Sequence, residues 1–123
     1  MSDSSIKLVR DWEAIYKKGQ LTLWILLSLH DSPKRIGEIK AFIEVATNGQ
    51  FSVDDQSVYR ALRRYYDTEF VDFTFLSNPN GPDWKVYSLT PLGQSVLRRF
   101  SQRNFISVLY KPEIQSLIER SAE

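Results

Sequence analysis

Hydrophobic positions recur along this chain at helical intervals, give way once to alternation, and then return to helical spacing. Ile6, Leu8, Val9, Trp12 and Ile15 are separated by charged residues, which predicts an amphipathic helix over about 5 to 17, ending at Gly19. The apolar run Leu21 to Leu29 is roughly half the length that spans a bilayer, so it predicts a core helix over about 20 to 30, buried on most sides and stopped at Asp31-Ser32-Pro33. Ile36, Ile39, Ala41, Phe42, Ile43 and Val45 supply the apolar side of a third helix, which Asn48-Gly49 ends. A fourth opens with Ser52 as cap and Asp55 three residues on, a capping-box pattern, and carries the stripe Val58, Ala61, Leu62 and Tyr65.

The period then changes from 3.6 to 2. Phe70 to Leu76 alternates and is aromatic-rich, Trp84 to Leu89 answers it, and the seven residues Ser77 to Asp83 between them are too many for a tight turn. The prediction is a two-stranded antiparallel hairpin with an exposed loop. Thr90-Pro91 supplies the cap and first residue of a helix running to about Gln102, and Pro112 separates it from a last helix of about 112 to 121. No repeat, low-complexity block or Gly/Ser-rich linker divides the chain. One domain over 1–123 is expected, mainly α with a small antiparallel β hairpin (α+β): a core at about 18–90, with helical extensions at 1–17 and 91–123.

Composition narrows the chemistry. At 123 residues and 42% hydrophobic the chain can bury one core but not two. It has no cysteine, which excludes disulfides, thiolate metal sites and a cysteine nucleophile and favours a cytoplasmic home; Met1 to Ser5 is polar, without a targeting segment. His30 is the one histidine, and a lone ring at the end of an apolar helix is usually a buried or half-buried structural residue. There is no glycine-rich phosphate loop, no Ser-His pairing signature and no metal-ligand spacing, so neither an enzyme nor a cofactor is expected. The formal net charge of +1 means that any nucleic-acid binding must arise from local clustering of the 16 basic residues.

Three helices followed by a hairpin is the order of a winged helix-turn-helix, in which one helix enters the major groove and the hairpin touches the flanking backbone. KGQLTLWILLSLHDSPKRIGEI at 18–39, SVYRALRRYYDTEFVDF at 57–73 and NGPDWKVYSLTPLGQSVL at 80–97 resemble the three blocks of PadR-like transcription regulators. The likeness spans roughly residues 18 to 100. Tyr59-Arg60-Ala61-Leu62-Arg63-Arg64, the Gly-Pro wing and Tyr-x-Leu-Thr-x-x-Gly are its most specific parts. The short carboxyl-terminal region resembles the short-tailed branch of that family, which includes a circadian-clock regulator. The resemblance implies a homodimeric DNA-binding regulator, most often a repressor, associated with the nucleoid.

With the stripe Val58, Ala61, Leu62 and Tyr65 turned inward, the helix at about 54–67 presents Gln56, Ser57, Arg60, Arg63 and Arg64 outward, with Tyr59 at the margin. Arginine forks onto guanine and glutamine onto adenine, so Gln56 and Arg60 are assigned to bases. Arg63 and Arg64, farther along, are assigned to phosphate, as are the hydroxyls of Ser57 and Tyr59. The bland alternative is a solvated arginine face. By resemblance Lys34, Arg35 and Lys40 become phosphate contacts. Asp54 and Asp55 are read as capping and macrodipole residues, with cytosine recognition as the lesser reading. The hairpin at about 71–89 offers only Lys85 as a base, with Asn78 and Asn80 as hydrogen-bond donors; Trp84 is read as strand packing against a nucleic-acid or ligand contact.

The two ends carry more apolar surface than such a core consumes: Trp12, Ile15 and Tyr16 at one end, and Leu97, Phe100, Phe105, Ile106, Leu109 and Leu117 at the other. They are assigned to a homodimer interface; folding back on their own subunit is the alternative. By resemblance a small aromatic effector between subunits is left open by Trp12, Trp24 and Phe100. Double-stranded operator DNA with an inverted repeat is the expected partner, with no membrane. The competing reading is a winged-helix protein–protein interaction module that does not read DNA, favoured if Asp54, Asp55 and the thin wing dominate the surface potential.

Overall fold

In the computed structural model, which describes residues 3–123, each predicted element forms. Met1 and Ser2, the start of the polar amino-terminal stretch, lie outside the described residues. The order is α1 (Asp3–Tyr16), α2 (Gln20–Asp31), α3 (Ile36–Ala46), α4 (Asp55–Asp67), β1 (Val71–Leu76), β2 (Trp84–Leu89), α5 (Pro91–Ser101) and α6 (Pro112–Ser121). Between α5 and α6 the chain does not break near Gln102 as expected but continues as a π-helical segment, Gln102–Leu109. No proline or glycine stops it there, and Tyr110 N–H donates to Phe105 O at 2.8 Å, five residues back.

The core is the meeting of three helical faces and the hairpin. Ile25, Leu26 and Leu29 of α2, Ile39 and Ile43 of α3 and the α4 stripe Val58, Ala61, Leu62 and Tyr65 close on Val71, Tyr87 and Leu97. Tyr65 is the one stripe residue with a polar end, and its hydroxyl meets Thr22 Oγ1 at 2.5 Å. The burial differs from expectation in three places. Val45 is 78% exposed and Ala41 is also exposed, so the buried side of α3 is narrower than its apolar residues suggest. His30 is exposed in the last turn of α2, not packed. Leu97, assigned above to a dimer interface, is buried in its own subunit, because α5 lays its first two turns on β2 and α2.

The hairpin pairs antiparallel from Val71↔Leu89 to Leu76↔Trp84. One further bridge joins Lys34, in the α2–α3 connection, to Tyr87, so the connection lies along β2 as a third edge. Where β2 turns into α5, Thr90 Oγ1 accepts Gly93 N–H at 3.0 Å, capping the helix as its Thr-Pro start predicts. The same hydroxyl donates to Glu69 O at 2.5 Å, and Thr90 N–H donates to Phe70 O at 3.1 Å. This ties α5 to the α4–β1 junction, and it explains the Leu-Thr-x-x-Gly spacing: a cap, then a residue small enough to pass the Phe70 carbonyl. No helix among the described residues is long and apolar enough to cross a membrane.

Candidate nucleic-acid interface

Burying four residues of α4 leaves the rest of its circumference in solvent. Gln56, Tyr59, Arg60, Arg63, Arg64 and Tyr66 are exposed along it. Among the described residues no carboxylate forms an ion pair with Arg60, Arg63 or Arg64. Arg64 lies 5.9 Å from the Tyr65 ring centre; three cations on one face of a helix, with no ion-pair partner among the described residues, leave their donors available to an external anion or base edge.

The acids at the start of α4 divide the work differently from the expected box. Ser52 is not the cap. Phe51 and Val53 on either side of it pack against the core, which keeps 51–53 out of the helix and delays its start to Asp55. Asp54 becomes the cap: its carboxylate accepts Ser57 N–H at 2.7 Å and the Ser57 hydroxyl at 3.1 Å. Asp55 takes no part in the cap and pairs instead with Lys40 of α3 at 2.8 Å. Each acid thus has a partner within the fold. Ser57 and Lys40, both assigned above to phosphate, are correspondingly engaged: the first in the cap, the second in this half-exposed pair.

The hydrogen bonds from Ser57, backbone first and hydroxyl second, hold the Asp54 carboxyl below the ordinary carboxylate value, with the Arg60 charge adding in the same direction. A lowered folded-state pKa contributes stability above the unfolded value that is lost as pH falls through the folded one. Asp31, through Lys34, and Glu38, through Arg35, shift the same way. Urea midpoints are therefore expected to fall with acidification below about pH 4. They should fall less in Asp54→Asn, which keeps a capping oxygen but cannot titrate. Equal pH slopes for the two proteins would remove Asp54 from the acid response.

On the wing, Lys85 lies 4.7 Å from the Phe73 ring centre and 5.9 Å from that of Tyr59, a position facing α4. Phe73 is also the hub of an aromatic cluster with Tyr66, Phe75 and Tyr87, at centroid separations of 5.2, 5.5 and 5.7 Å. This cluster braces the hairpin against the outer side of α4. It went unread in the sequence, although Phe73 and Phe75 share one strand face and Tyr66 is four residues after Leu62. Trp84 is half-buried, with the Arg35 guanidinium 4.2 Å from its ring centre. Arg35 is further held by Glu38, which accepts its backbone N–H at 2.9 Å and its Nε at 3.2 Å. Asn78 Oδ1 accepts Asn80 N–H at 3.1 Å, folding the wing loop on itself.

The structure does not place Lys34 with the free cations. It is 8% exposed, and its ammonium donates to Ser28 O, Asp31 Oδ2 and Ser32 Oγ. The assignment of Lys34 to phosphate is therefore withdrawn, since no proton remains to reach one. A cleft of about 640 Å³ lies between the start of α3, Tyr59 of α4 and the wing; Arg35 and Lys85 line it together with Glu38, Asp83, Tyr59 and Trp84.

Three helices, a helix-turn-helix pair and a paired wing define a winged-helix protein. The model of the transcriptional regulator PadR-like family matches residues 25–99, and the chain belongs to that family. The matched span stops short of the tail that carries the short-tailed resemblance. No curated protein matches the chain. Among solved structures it is similar to a PadR-like transcription factor from Bacteroides fragilis, at 25% identity and TM-score 0.64 over 76% of this chain and 87% of that one. A PadR family regulator from Eggerthella lenta shares the fold at 17% identity and TM-score 0.71 over 96% and 98% of the two chains. Bacillus subtilis PadR, solved in complex with operator DNA, is 21% identical with TM-score 0.59, over 65% of this chain and 45% of that protein. Members of this family are transcription regulators, not enzymes.

Proposed function

We propose that this protein regulates transcription as a homodimer that binds an inverted-repeat operator in the cytoplasm, on the nucleoid, and acts as a repressor by occupying promoter DNA. The observation that carries the reading is the exposed arginine face of α4, without an ion pair among the described residues, on a helix packed into the core beside α3 and the wing. In this reading α4 enters the major groove, Gln56 and Arg60 read base edges, and Arg63 and Arg64 grip phosphates. Tyr59 and Lys85 add contacts on the wing side, Arg35 and Asn80 reach the flanking backbone, and Lys40 joins them where DNA draws it from Asp55. The operator complex of Bacillus subtilis PadR supports the same use of the fold here.

The terminal helices support the dimer. On α1, Trp12, Ile15 and Tyr16 are 72%, 67% and 62% exposed, and at the other end Phe100, Ile106, Leu109 and Leu117 are 37–54% exposed. Apolar surface of this extent, on α1, the end of α5, the π segment and α6, calls for a second copy. An apolar hollow of about 650 Å³ between α2 and the α5–π segment, lined by Tyr16, Leu23, Trp24, Phe100, Phe105 and Leu109, is the place for a small aromatic effector.

Selection of genomic fragments on the purified protein tests the reading. The expected result is an enriched inverted repeat with half-sites one helical turn apart, ~34–36 Å, together with a dimer mass by sedimentation. Enrichment without symmetry would remove the dimer, and no enrichment would favour a winged-helix module that binds another protein.

A further inference from the structure

Among the described residues Lys34 is the cation with the most hydrogen bonds, and it sits at a junction. Its ammonium donates to Ser28 O at 2.6 Å, to Asp31 Oδ2 and Ser32 Oγ at 2.9 Å each, with Ser32 O at 3.3 Å. It also lies 4.9 Å from the ring centre of Phe42, on α3. Three protons on an ammonium match the three short contacts, so the side chain is saturated by the end of α2 and the turn that follows. The backbone of the same residue does something else. Lys34 N–H donates to Tyr87 O at 3.0 Å and Tyr87 N–H donates to Lys34 O at 2.9 Å, and among the described residues this bridge is the backbone pairing between the α2–α3 connection and the wing. Tyr87 is 4% exposed and packs on Phe73, which Tyr66 of α4 covers.

From this geometry we infer that Lys34 is a positioning residue: its ammonium clamps the α2–α3 turn into the shape that holds β2, and so sets the angle of the wing to α4. The buried charge is tied to the carbonyl end of α2, where a cation is favoured by the helix dipole and by the unsatisfied carbonyls. Without the ammonium, the turn keeps its space but loses the three bonds that fix where the Lys34 peptide lies. The wing then keeps its pairing with β1 and loses its edge. The consequence for DNA rests on the reading of α4 and the hairpin as the binding surface; the clamp itself does not.

Two substitutions separate this role from a phosphate contact. Lys34→Met keeps the stem and removes the charge, and Asp31→Asn weakens the clamp while leaving the lysine in place. In the DNA-free protein, amide exchange at Tyr87 and Lys34 is expected to quicken roughly tenfold in Lys34→Met and less in Asp31→Asn. Affinity for the selected operator is expected to fall roughly tenfold in Lys34→Met, with the log–log salt slope unchanged. Asp31→Asn should weaken binding too. A phosphate contact predicts the opposite pattern: Lys34→Met would lower the salt slope by about 0.9 per protomer with Tyr87 exchange unaltered, and Asp31→Asn would free the ammonium and tighten binding. Either that pattern or unchanged amide exchange in both variants would overturn the clamp. Should Lys34→Met not fold, Asp31→Asn decides by the sign of its effect. If the unaltered protein binds no DNA, the operator reading fails while the exchange measurement still decides the clamp.

Discussion

Replacing Arg60 and Arg63 together by alanine is expected to weaken operator binding by roughly a hundred- to a thousandfold per half-site, with folding left intact. Both side chains lie in solvent on α4, and neither has a carboxylate partner among the described residues, so their loss exposes no buried charge and opens no cavity. The fold should notice little, because surface substitutions of this kind stay within about 0.5 kcal/mol. The single variants are expected to differ in kind. Arg60→Ala should cost about 1–3 kcal/mol on the preferred sequence and little on others, relaxing specificity at one base position. Arg63→Ala should weaken all sequences alike and lower the salt slope by about 1. Titrations of operator and scrambled DNA at several salt concentrations check both, and a double variant that binds as well as the unaltered protein would sink the assignment of α4 to the major groove.

Gly93→Ala is expected to be the most damaging single methyl in the molecule, destabilising by about 3 kcal/mol and lowering Tm by roughly 10 °C or more. A Cβ at this position would stand 2.1 Å from Phe70 O, 3.0 Å from Phe70 C and 3.3 Å from the Leu89 side chain. The carbonyl cannot yield cheaply, because Thr90 N–H donates to it at 3.1 Å and the Thr90 hydroxyl approaches it at 3.2 Å. Relief therefore means lifting α5 off the α4–β1 junction and withdrawing Leu97 from the core. Gly37→Ala is the internal control. Nothing lies within 4 Å of its added methyl, and in the first turn of α3 alanine is the better helix former, so the change should stabilise by about 0.5–1 kcal/mol. Urea unfolding of both variants, at matched protein concentration, measures the contrast. Equal stabilities would show that the α5 approach relaxes freely.

What could be read in the linear chain follows from short-range physics. The α4 stripe was legible in full because a pitch of 3.6 residues decides which four side chains share a face, whatever they pack against. The Thr90-Pro91 start of α5 and the Asn48-Gly49 end of α3 were legible because a cap is satisfied by atoms a few residues away; Asn48 and Gly49 do adopt left-handed backbone, with φ of 54° and 75°. The alternation at 70–76 and 84–89 set the second strand and, to within one residue, the first, which starts at Val71, along with the loop between them. The winged-helix order follows from these elements; the family follows from the likeness of the three sequence blocks, and the family model over residues 25–99 bears it out.

Errors begin where a choice among local candidates depends on distant packing. Ser52 and Asp54 are both acceptable caps, and Phe51 and Val53, by turning to the core, selected the second. Leu97 and Phe100 are equally apolar residues of one helix, yet the approach of α5 to Phe70 and Leu89 buries the first and leaves the second 47% exposed. The basic residues divide in the same way. Arg60, Arg63 and Arg64 have no ion-pair partner among the described residues because no acidic side chain is brought within ion-pair distance of them, whereas Lys40 found Asp55 and Arg35 found Trp84, 15 and 49 residues along the chain. Periodicity and capping act over one helical turn or one strand pair, so residue type and spacing suffice to set the elements and their faces. The partner of a charge is set by which elements come within about 4 Å of it, and that is decided only when α2, α3, α4 and the hairpin have closed on one core.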